Sequence, residues 1–346
     1  MAGAGQPFYM PLTWPVGHVS SAIMKPETED DIPKPEATPD LDWVGHLTSM
    51  FGASRSFLMA WFCVSTLYGG FEHYPGALGG AAKDGFAWAW MWPILARNLI
   101  ACWTIAGGWD YFLYFSPVAA KLHKYKLNPI YPPISQMYRD FAVATQSMVW
   151  AAAVEIVLCR YWAAGAVASD QSLLSRPLLN AALVLTTTHW RIPHFWAIHR
   201  AMHPWKVDGF PDVGKFLYKH VHSLHHKSHN PTAFSGTNMH PVEATLYFSA
   251  ALLVVPFGVH PAIPVGCIVD CAVGAWLGHD GFQWPGSGDY FHQLHHAHFD
   301  CNYGAMHVPV DKWLGTYAGC KEDVKRIWAK KKAGGKVGKD GTTKTN

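Results

Sequence analysis

The sequence predicts an all-α fold, a polytopic membrane bundle of four to six helices carrying a histidine-rich helical cap on its cytosolic face. Half of the 346 residues are hydrophobic and only 15% are charged, where a soluble globular domain carries about 25%. Apolar segments recur between residues 56 and 277. Seventeen of the 21 histidines crowd between His189 and His307. Mean hydropathy is only +0.02. The 17 Trp, 14 Tyr and 18 Phe account for that modest value, because hydropathy scales rate Trp and Tyr poorly although both favour the membrane interface.

Residues 1–45 mix Pro, Gly and acids, most densely in Lys25–Asp42, and lack helical periodicity. They read as a mobile arm. The opening MAGAGQPFYMPLTWP has no basic stretch ahead of an apolar run, so no cleavable signal peptide is expected. Residues 46–180 are expected to hold the N-terminal membrane helices. Their apolar segments are Ser56–Phe71, Phe86–Phe115 (broken by Arg97, Asn98 and Gly107-Gly108) and Phe141–Ala168, which carries Glu155 and Arg160. Leu178–Ile198 leads into a second unit, residues 181–320, where Ala244–Val259 and Pro261–Leu277 follow. A spanning helix needs about 20 mostly apolar residues. The third and fourth segments meet that length, whereas the last two form either a hairpin that dips in and returns or a pair of tilted spans. An all-helical soluble protein with buried helices is the alternative, because several segments contain charges. Arg97, Glu155 and Arg160 are costly in hydrocarbon and should face the bundle interior or an end; structural pairing is expected of them rather than a role in a site.

Residues 321–346 form a basic tail with nine Lys or Arg against three acids. No aromatic-interleaved basic fold accompanies it, so nucleic acid is not an expected partner. A solvated tail near anionic lipid is. Seven scattered cysteines without a CxxC pair read as reduced thiols.

The histidine spacing carries the chemistry. His199 and His203 stand at i and i+4, one turn apart on a helix face. His222, His225 and His226 form one HxxHH box, and His292, His295 and His296 form another, positions i, i+3 and i+4 that again share one helix face. His279 stands between them, at the end of the last apolar segment. Neutral imidazole binds Fe, Zn, Cu and Ni. Nine imidazoles exceed the four ligands of one tetrahedral Zn and suit two ions, each with an open position. The carboxylate Glu-x-x-His pairs of soluble di-iron bundles do not accompany these boxes. Charge balance then falls to neighbouring carboxylates, with Asp280, Asp289, Asp300 and Glu243 as candidates. The boxes lie beyond the apolar helices, which places the site at the membrane–water boundary. Oxidising an unactivated C–H bond there requires a redox metal, so iron is expected, with Zn as a possible substitute.

These boxes, in this order, resemble those of the fatty acid hydroxylase and sterol desaturase superfamily over roughly Thr186 to Ala318. HFWAIHRAMH resembles its first box, HSLHHKSHNPTAF its second and FHQLHHAHFDCNYG its last. Met239–Glu243 resembles the HPxE element, Gly278–Phe282 the element ahead of the last box, and Asp311–Thr316 the closing element. The resemblance implies a fatty acid hydroxylase-like catalytic domain over residues 181–320. Its activity would be O2-dependent di-iron oxidation, hydroxylation or desaturation, of a sterol or fatty-acyl lipid. Electrons would come from cytochrome b5 or a similar carrier. No fused HPGG haem motif is present, so the carrier is a separate partner. An integral endoplasmic reticulum protein with its boxes on the cytosolic side is expected. A His-rich membrane metal transporter and a non-catalytic lipid-binding relative stay open as alternatives. A zinc protease is disfavoured by the absence of HExxH. His189, His194, His220, His229, His240, His298 and His307 receive no assigned role.

Overall fold

The computed structural model describes residues 23, 35–39, 43–205, 207, 209–284 and 289–334. Most of the expected N-terminal arm, and the basic tail beyond residue 334, lie outside them. The described residues form helices and loops with no strands; two isolated bridges, Lys126 with Phe282 and Ala305 with Val308, are the only β pairing among them.

Helix α1 (Trp43–Tyr68) runs up to the Gly69-Gly70 pair. Helix α2 (Trp88–Ala101) does not stop at its own end: a π turn (Cys102–Ala106), α3 (Gly107–Asp110) and a second π turn (Tyr111–Phe115) continue the rod to Ser116. π turns insert an extra residue and re-aim side chains. Here Asp110, lying between the two, is buried and accepts the Ala233 N–H at 2.7 Å. After the short α4 (Ala119–Leu122), the extended Pro133 opens α5 (Ile134–Ala163). Pro is suited to a helix start because its missing N–H would be unpaired there anyway.

The fourth apolar segment does not form the single helix its length suggested. It breaks at Thr186 into α6 (Pro177–Leu185) and α7 (Thr187–Ala201). The Thr186 and Thr187 hydroxyls donate back to the Ala182 and Leu183 carbonyls, a local competition that bends helices. Helix α8 (Val213–His220) is capped by Asp212, whose Oδ1 accepts from Lys215 N at 2.8 Å. Two 3-10 turns follow, His222–Lys227 and Ala233–Thr237. Helix α9 (Pro241–Phe248) tightens into a 3-10 stretch over Ser249–Phe257, and α10 (Ala262–Leu277) returns beside it. The chain then forms α11 (Asp289–His298), α12 (Val310–Trp313) and α13 (Lys321–Gly334).

The main core joins α5, α9, α10 and the Ala233–Thr237 turn through Phe141, Met148, Phe234, Phe248, Ile268 and Trp276. Small residues set the spacing, with Ala144 and Ala151 of α5 fully buried there. A second core under α1, α2 and α5 holds Val64, Tyr74, Ile94 and Cys159. Among the described residues, α5 alone has the length and composition to cross a membrane, and Pro241–Phe257 and Ala262–Leu277 are shorter apolar helices. Large apolar side chains nonetheless face outward along α1 and α2, among them Phe62 at 69% exposure and Trp88 at 67%.

The charges inside the apolar segments pair. Glu155 of α5 is fully buried, bonded to Arg97 of α2, and accepts from the Tyr74 hydroxyl at 2.6 Å. Arg160 lies in the last turn of α5, where a cation opposes the helix dipole. Removing one partner of a buried pair strands the other charge, at a cost of about 3–5 kcal/mol, whereas replacing both is far milder. Glu155→Leu is therefore expected to lower the thermal midpoint in detergent well below that of the double variant Arg97→Leu/Glu155→Leu.

Candidate metal centre

Helix α7 ends at the first histidine pair. His199 sits in its last turn, and His203 lies just beyond Met202, the C-cap. The second box forms a 3-10 turn rather than the expected α-helical face. In a 3-10 turn residues i and i+3 eclipse, and the His222 and His225 rings stack at 5.4 Å with planes 23° apart. Helix α11 carries the third box, where His292 and His295 stack in the same way at 5.5 Å and 23°.

The nine histidines singled out by spacing converge. One group is His199, His203, His222, His226 and His295; the other is His225, His279, His292 and His296. Within each group the donor atoms lie within 4.8 Å of one another. Each HxxHH box feeds both groups, and the allocation is mirrored: the second box sends its middle histidine to the second group, the third box sends its middle histidine to the first. All nine are buried or nearly so.

The hydrogen bonds around the groups decide which nitrogen faces inward. His199 Nδ1 lies 2.7 Å from the Tyr303 carbonyl, His295 Nδ1 2.7 Å from the Cys301 carbonyl and His279 Nδ1 2.8 Å from the Ala275 carbonyl. A carbonyl only accepts, so each Nδ1 carries the proton and each Nε2 presents a lone pair. His222 Nδ1 lies 2.7 Å from the Glu243 carboxyl group; burial raises that carboxyl's basicity well above the ordinary value, and in its ionised form it fixes the same tautomer. The inward Nε2 atoms of His199 and His222 then face each other at 3.0 Å with no proton between them. His222 and His226 Nε2 are also 3.0 Å apart, and His279 and His292 Nε2 2.8 Å. For His199 and His222, opposed lone pairs at that distance repel. Imidazoles on a common ion, at about 2.0–2.1 Å each, place neighbouring nitrogens about 3 Å apart. The His203 and His226 Nδ1 atoms and both His296 nitrogens are buried with no partner among the described residues. The donor set therefore fits two cations.

Burial holds these imidazoles neutral, as ligands must be. The basicities of His222, His225, His226, His292 and His296 are pushed well below the ordinary value, by desolvation first and by neighbouring imidazoles second. Burial likewise lowers His279 to about 4 and His295 to about 3.

Of the four candidate carboxylates, Glu243 touches a histidine. Asp280 instead accepts from the Trp109 and Trp284 indoles at 2.9 and 2.8 Å, Asp300 pairs with Lys331, and Asp289 lines the adjoining cavity. Three other acids position the site. Asp311 accepts from Tyr303 N, Gly304 N and the Trp196 indole at 2.8–3.0 Å, so it holds the loop whose carbonyl orients His199. Asp140 of α5 accepts from Ser228, Ser235 and Asn238. Asp110 anchors Ala233. Spacing missed Asp110 and Asp140; the available signal was a lone acid inside or beside an apolar segment. Two glycines permit close approach. A Cβ at Gly236 would stand 2.1 Å from the Ala275 oxygen, and one at Gly214 2.1 Å from the His203 oxygen.

None of the seven unassigned histidines joins either group. His194 meets Ser249, His240 caps α9, His298 packs on Trp328 and His229 is exposed. His220 packs on Phe216, and His189 is partly buried. His307 lines a cavity of about 420 Å³ that opens onto the histidines, reaching His199, His222, His225, His279 and His292. Phe195, Tyr247, Ile192, Met239 and Leu277 give it apolar walls.

Residues 182–316 match the fatty acid hydroxylase family. Over 247 residues, 67% of this chain and 81% of the relative, the chain is 27% identical to a putative Delta(7)-sterol-C5(6)-desaturase 2 of Arabidopsis thaliana. It is 30% identical to sphinganine C4-monooxygenase 2 of Arabidopsis thaliana over 42% of this chain and 55% of the relative. It is 32% identical to lathosterol oxidase of Rattus norvegicus over 36% of this chain and 40% of the relative. The chain thus spans about half or less of the length of the latter two relatives. No solved structure gives a significant match. All nine clustered histidines lie within residues 182–316, the part of the chain that matches the fatty acid hydroxylase family.

Proposed function

We propose that this chain is a membrane-embedded oxidoreductase that uses O2 and two iron ions to hydroxylate or desaturate a lipid, a sterol or a long-chain acyl or sphingoid compound. The observation that carries the reading is the pair of opposed lone pairs, His199 Nε2 and His222 Nε2 at 3.0 Å, on the wall of an apolar cavity. One ion would be held by His199, His203, His222, His226 and His295, the other by His225, His279, His292 and His296. Bound iron supplies, with O2 and electrons, the oxidising power to break an unactivated C–H bond. The protein's own residues do the rest. Main-chain carbonyls and Glu243 fix the imidazole tautomers. Phe195, Ile192 and Tyr247 exclude water and align a hydrocarbon against the histidine wall. The shape of that cavity decides which carbon is presented, and so whether one hydrogen or two adjacent ones are removed.

The named activities of the relatives, sterol desaturation, sterol oxidation and sphinganine hydroxylation, support a hydroxyl-bearing lipid as substrate. The outward apolar faces of α1 and α2, together with α5, α9 and α10, support a bundle of four to six membrane segments; a cytochrome b5-type carrier would place it in the endoplasmic reticulum with the histidines on the cytosolic side. A separate cleft of about 480 Å³ is lined by Arg200, Lys312, Arg326, Lys330, Lys331 and Tyr303, with Asp300 and Asp323 among them. Its basic excess supports docking of an acidic electron carrier such as cytochrome b5. The Tyr303 ring, at 5.0 Å from His203 and 5.5 Å from His295, links cleft to histidines.

The purified full chain, loaded with ferrous iron and given a reductant, is expected to hold two irons and to oxidise a sterol or sphingoid lipid only with O2; metal flux across vesicles without oxidised product would replace the enzyme reading with transport. His225→Ala should lose at least one of the two irons and essentially all activity, measured by elemental analysis and product formation. Glu243→Gln keeps the shape but weakens the hold on the His222 proton, and should lower metal affinity or turnover by about 10–100-fold. The pH dependence has a definite sign. Imidazoles with depressed folded basicity stabilise the fold above their unfolded value of about 6.5 and lose that contribution as pH falls. Chelator-treated protein should therefore show a falling thermal midpoint from pH 7 to pH 5, and iron-loaded protein should resist until lower pH, because the ions compete with protons.

A further inference from the structure

We propose that Arg191 and Asp270, with Asp270 positioned by the buried Ser56, form a recognition site for the hydroxyl group of a neutral lipid alcohol bound in the cavity beside the histidines. The inference rests on the lipid-oxidation reading above and names the residues that would select and orient the substrate. Arg191 of α7 and Asp270 of α10 both line the cavity. Each is 7% exposed. Arg191 Nε donates to Asp270 Oδ2 at 2.8 Å, and Ser56 Oγ of α1 donates to Asp270 Oδ1 at 3.0 Å. Three helices thus converge on one polar cluster, α7 and α10 supplying the cavity-facing Arg191 and Asp270 and α1 the buried Ser56 behind them.

A purely structural role leaves two features without a reason. A buried ion pair often contributes no more than a well-packed apolar replacement would. More directly, Nε is the guanidinium donor that Asp270 uses, and the two Nη groups have no acceptor among the described residues. Gly274, one α10 turn from Asp270, leaves room at that spot: a Cβ there would lie 3.2 Å from Arg191 Nη2. The cluster therefore offers unused donors and spare carboxylate lone pairs side by side. A hydroxyl group, which both accepts and donates, matches that pairing. Asp270 already balances Arg191, so a lipid carboxylate placed at this cluster would bring an uncompensated charge into a dry spot; Arg55, the cavity's other arginine, is solvent-exposed. A neutral alcohol is favoured over a free fatty acid on that ground.

Position ties the cluster to regiochemistry. Eight residues of α7 separate Arg191 from His199, about 12 Å of helix rise. Asp270 likewise precedes His279 by nine residues along and just past α10. A hydroxyl anchored at the cluster fixes how far the hydrocarbon reaches toward the histidine wall, and hence which carbon is oxidised.

The test uses the full chain in detergent and reads binding through Trp109 and Trp284, which line the same cavity, by fluorescence quenching with lathosterol, its 3-deoxy analogue and palmitate. Wild type should bind lathosterol at least 10-fold more tightly than either other ligand. Ser56→Ala and the charge-neutral pair Arg191→Gln/Asp270→Asn should erase that preference while leaving affinity for the deoxy analogue within about 2-fold. The paired variant guards against a fold lost to a stranded charge, and Ser56→Ala against one lost to repacking. Equal losses for both sterols would reduce the cluster to packing and overturn the proposal, as would palmitate binding as tightly as lathosterol. Oxidation of the deoxy analogue with unchanged affinity would also overturn it while leaving the enzyme reading intact. Hydroxyl-dependent binding without any oxidation in the iron-loaded protein would sustain it and remove the enzyme reading instead.

Discussion

Four imidazole protons are committed away from the centre of this molecule, three to main-chain carbonyls and one to a carboxylate. His199, His279 and His295 give theirs to Tyr303, Ala275 and Cys301, and His222 gives its own to Glu243. With their outer nitrogens occupied by acceptors, the inner nitrogens of His199 and His222 face one another as lone pairs. The arrangement becomes favourable when a cation stands among them. Binding free energy in such a site is folding free energy, so the loops around the histidines owe part of their order to the ions they would hold.

Those loops are irregular for a reason. A carbonyl in an α-helix is spent on the residue four ahead, and an imidazole that must be oriented needs one that is not. Tyr303 and Cys301 lie just past α11, where Phe299 and Asn302 adopt left-handed backbone angles of 65° and 56°. Such positions cost about 1–3 kcal/mol for a side chain that is not glycine. The surroundings hold them: Asn302 bonds the Phe291 and Ala318 carbonyls at 2.8 and 2.9 Å, and the Phe299 ring packs 4.8 Å from His226. The strain sits where the chain after the third box turns one carbonyl back on its own His295 and another onto His199 of the first box.

Most of the candidate site was legible in the sequence, because imidazole pairs at helical spacing leave a periodic trace. The all-α class was legible too, from recurrent apolar segments. What periodicity could not report was allocation. HxxHH says that three rings share an element, and a single face was the expectation; both boxes, one a 3-10 turn and the other on α11, instead send their middle histidine to the other group. The break at Thr186 was hidden because threonine bends a helix through its own hydroxyl without interrupting hydrophobicity. Asp110 and Asp140 act on backbone and hydroxyl groups more than 80 residues away in sequence, and no local pattern encodes a contact at that separation. Glu243 was one of four carboxylates that composition could not rank; its reach to His222 depends on how α9 starts, after the 3-10 turns have been packed.

The mirrored allocation has a mechanical consequence. Because each HxxHH box contributes to both groups, neither group can shift without moving the backbone that serves the other. Rings of different groups stand close, with His226 and His296 centroids 5.1 Å apart. The pair of groups is therefore one rigid layer, and that layer has two sides. His199, His222, His225, His279 and His292 face the apolar cavity. His203 and His295 lie against Tyr303, whose ring carries Arg200 at 5.2 Å and borders the basic cleft. A hydrocarbon in the cavity and an acidic carrier in the cleft would approach the same nine imidazoles from different directions. An oxidant strong enough to attack C–H bonds would also attack its carrier, so access from separate sides lets one be delivered without exposing the other.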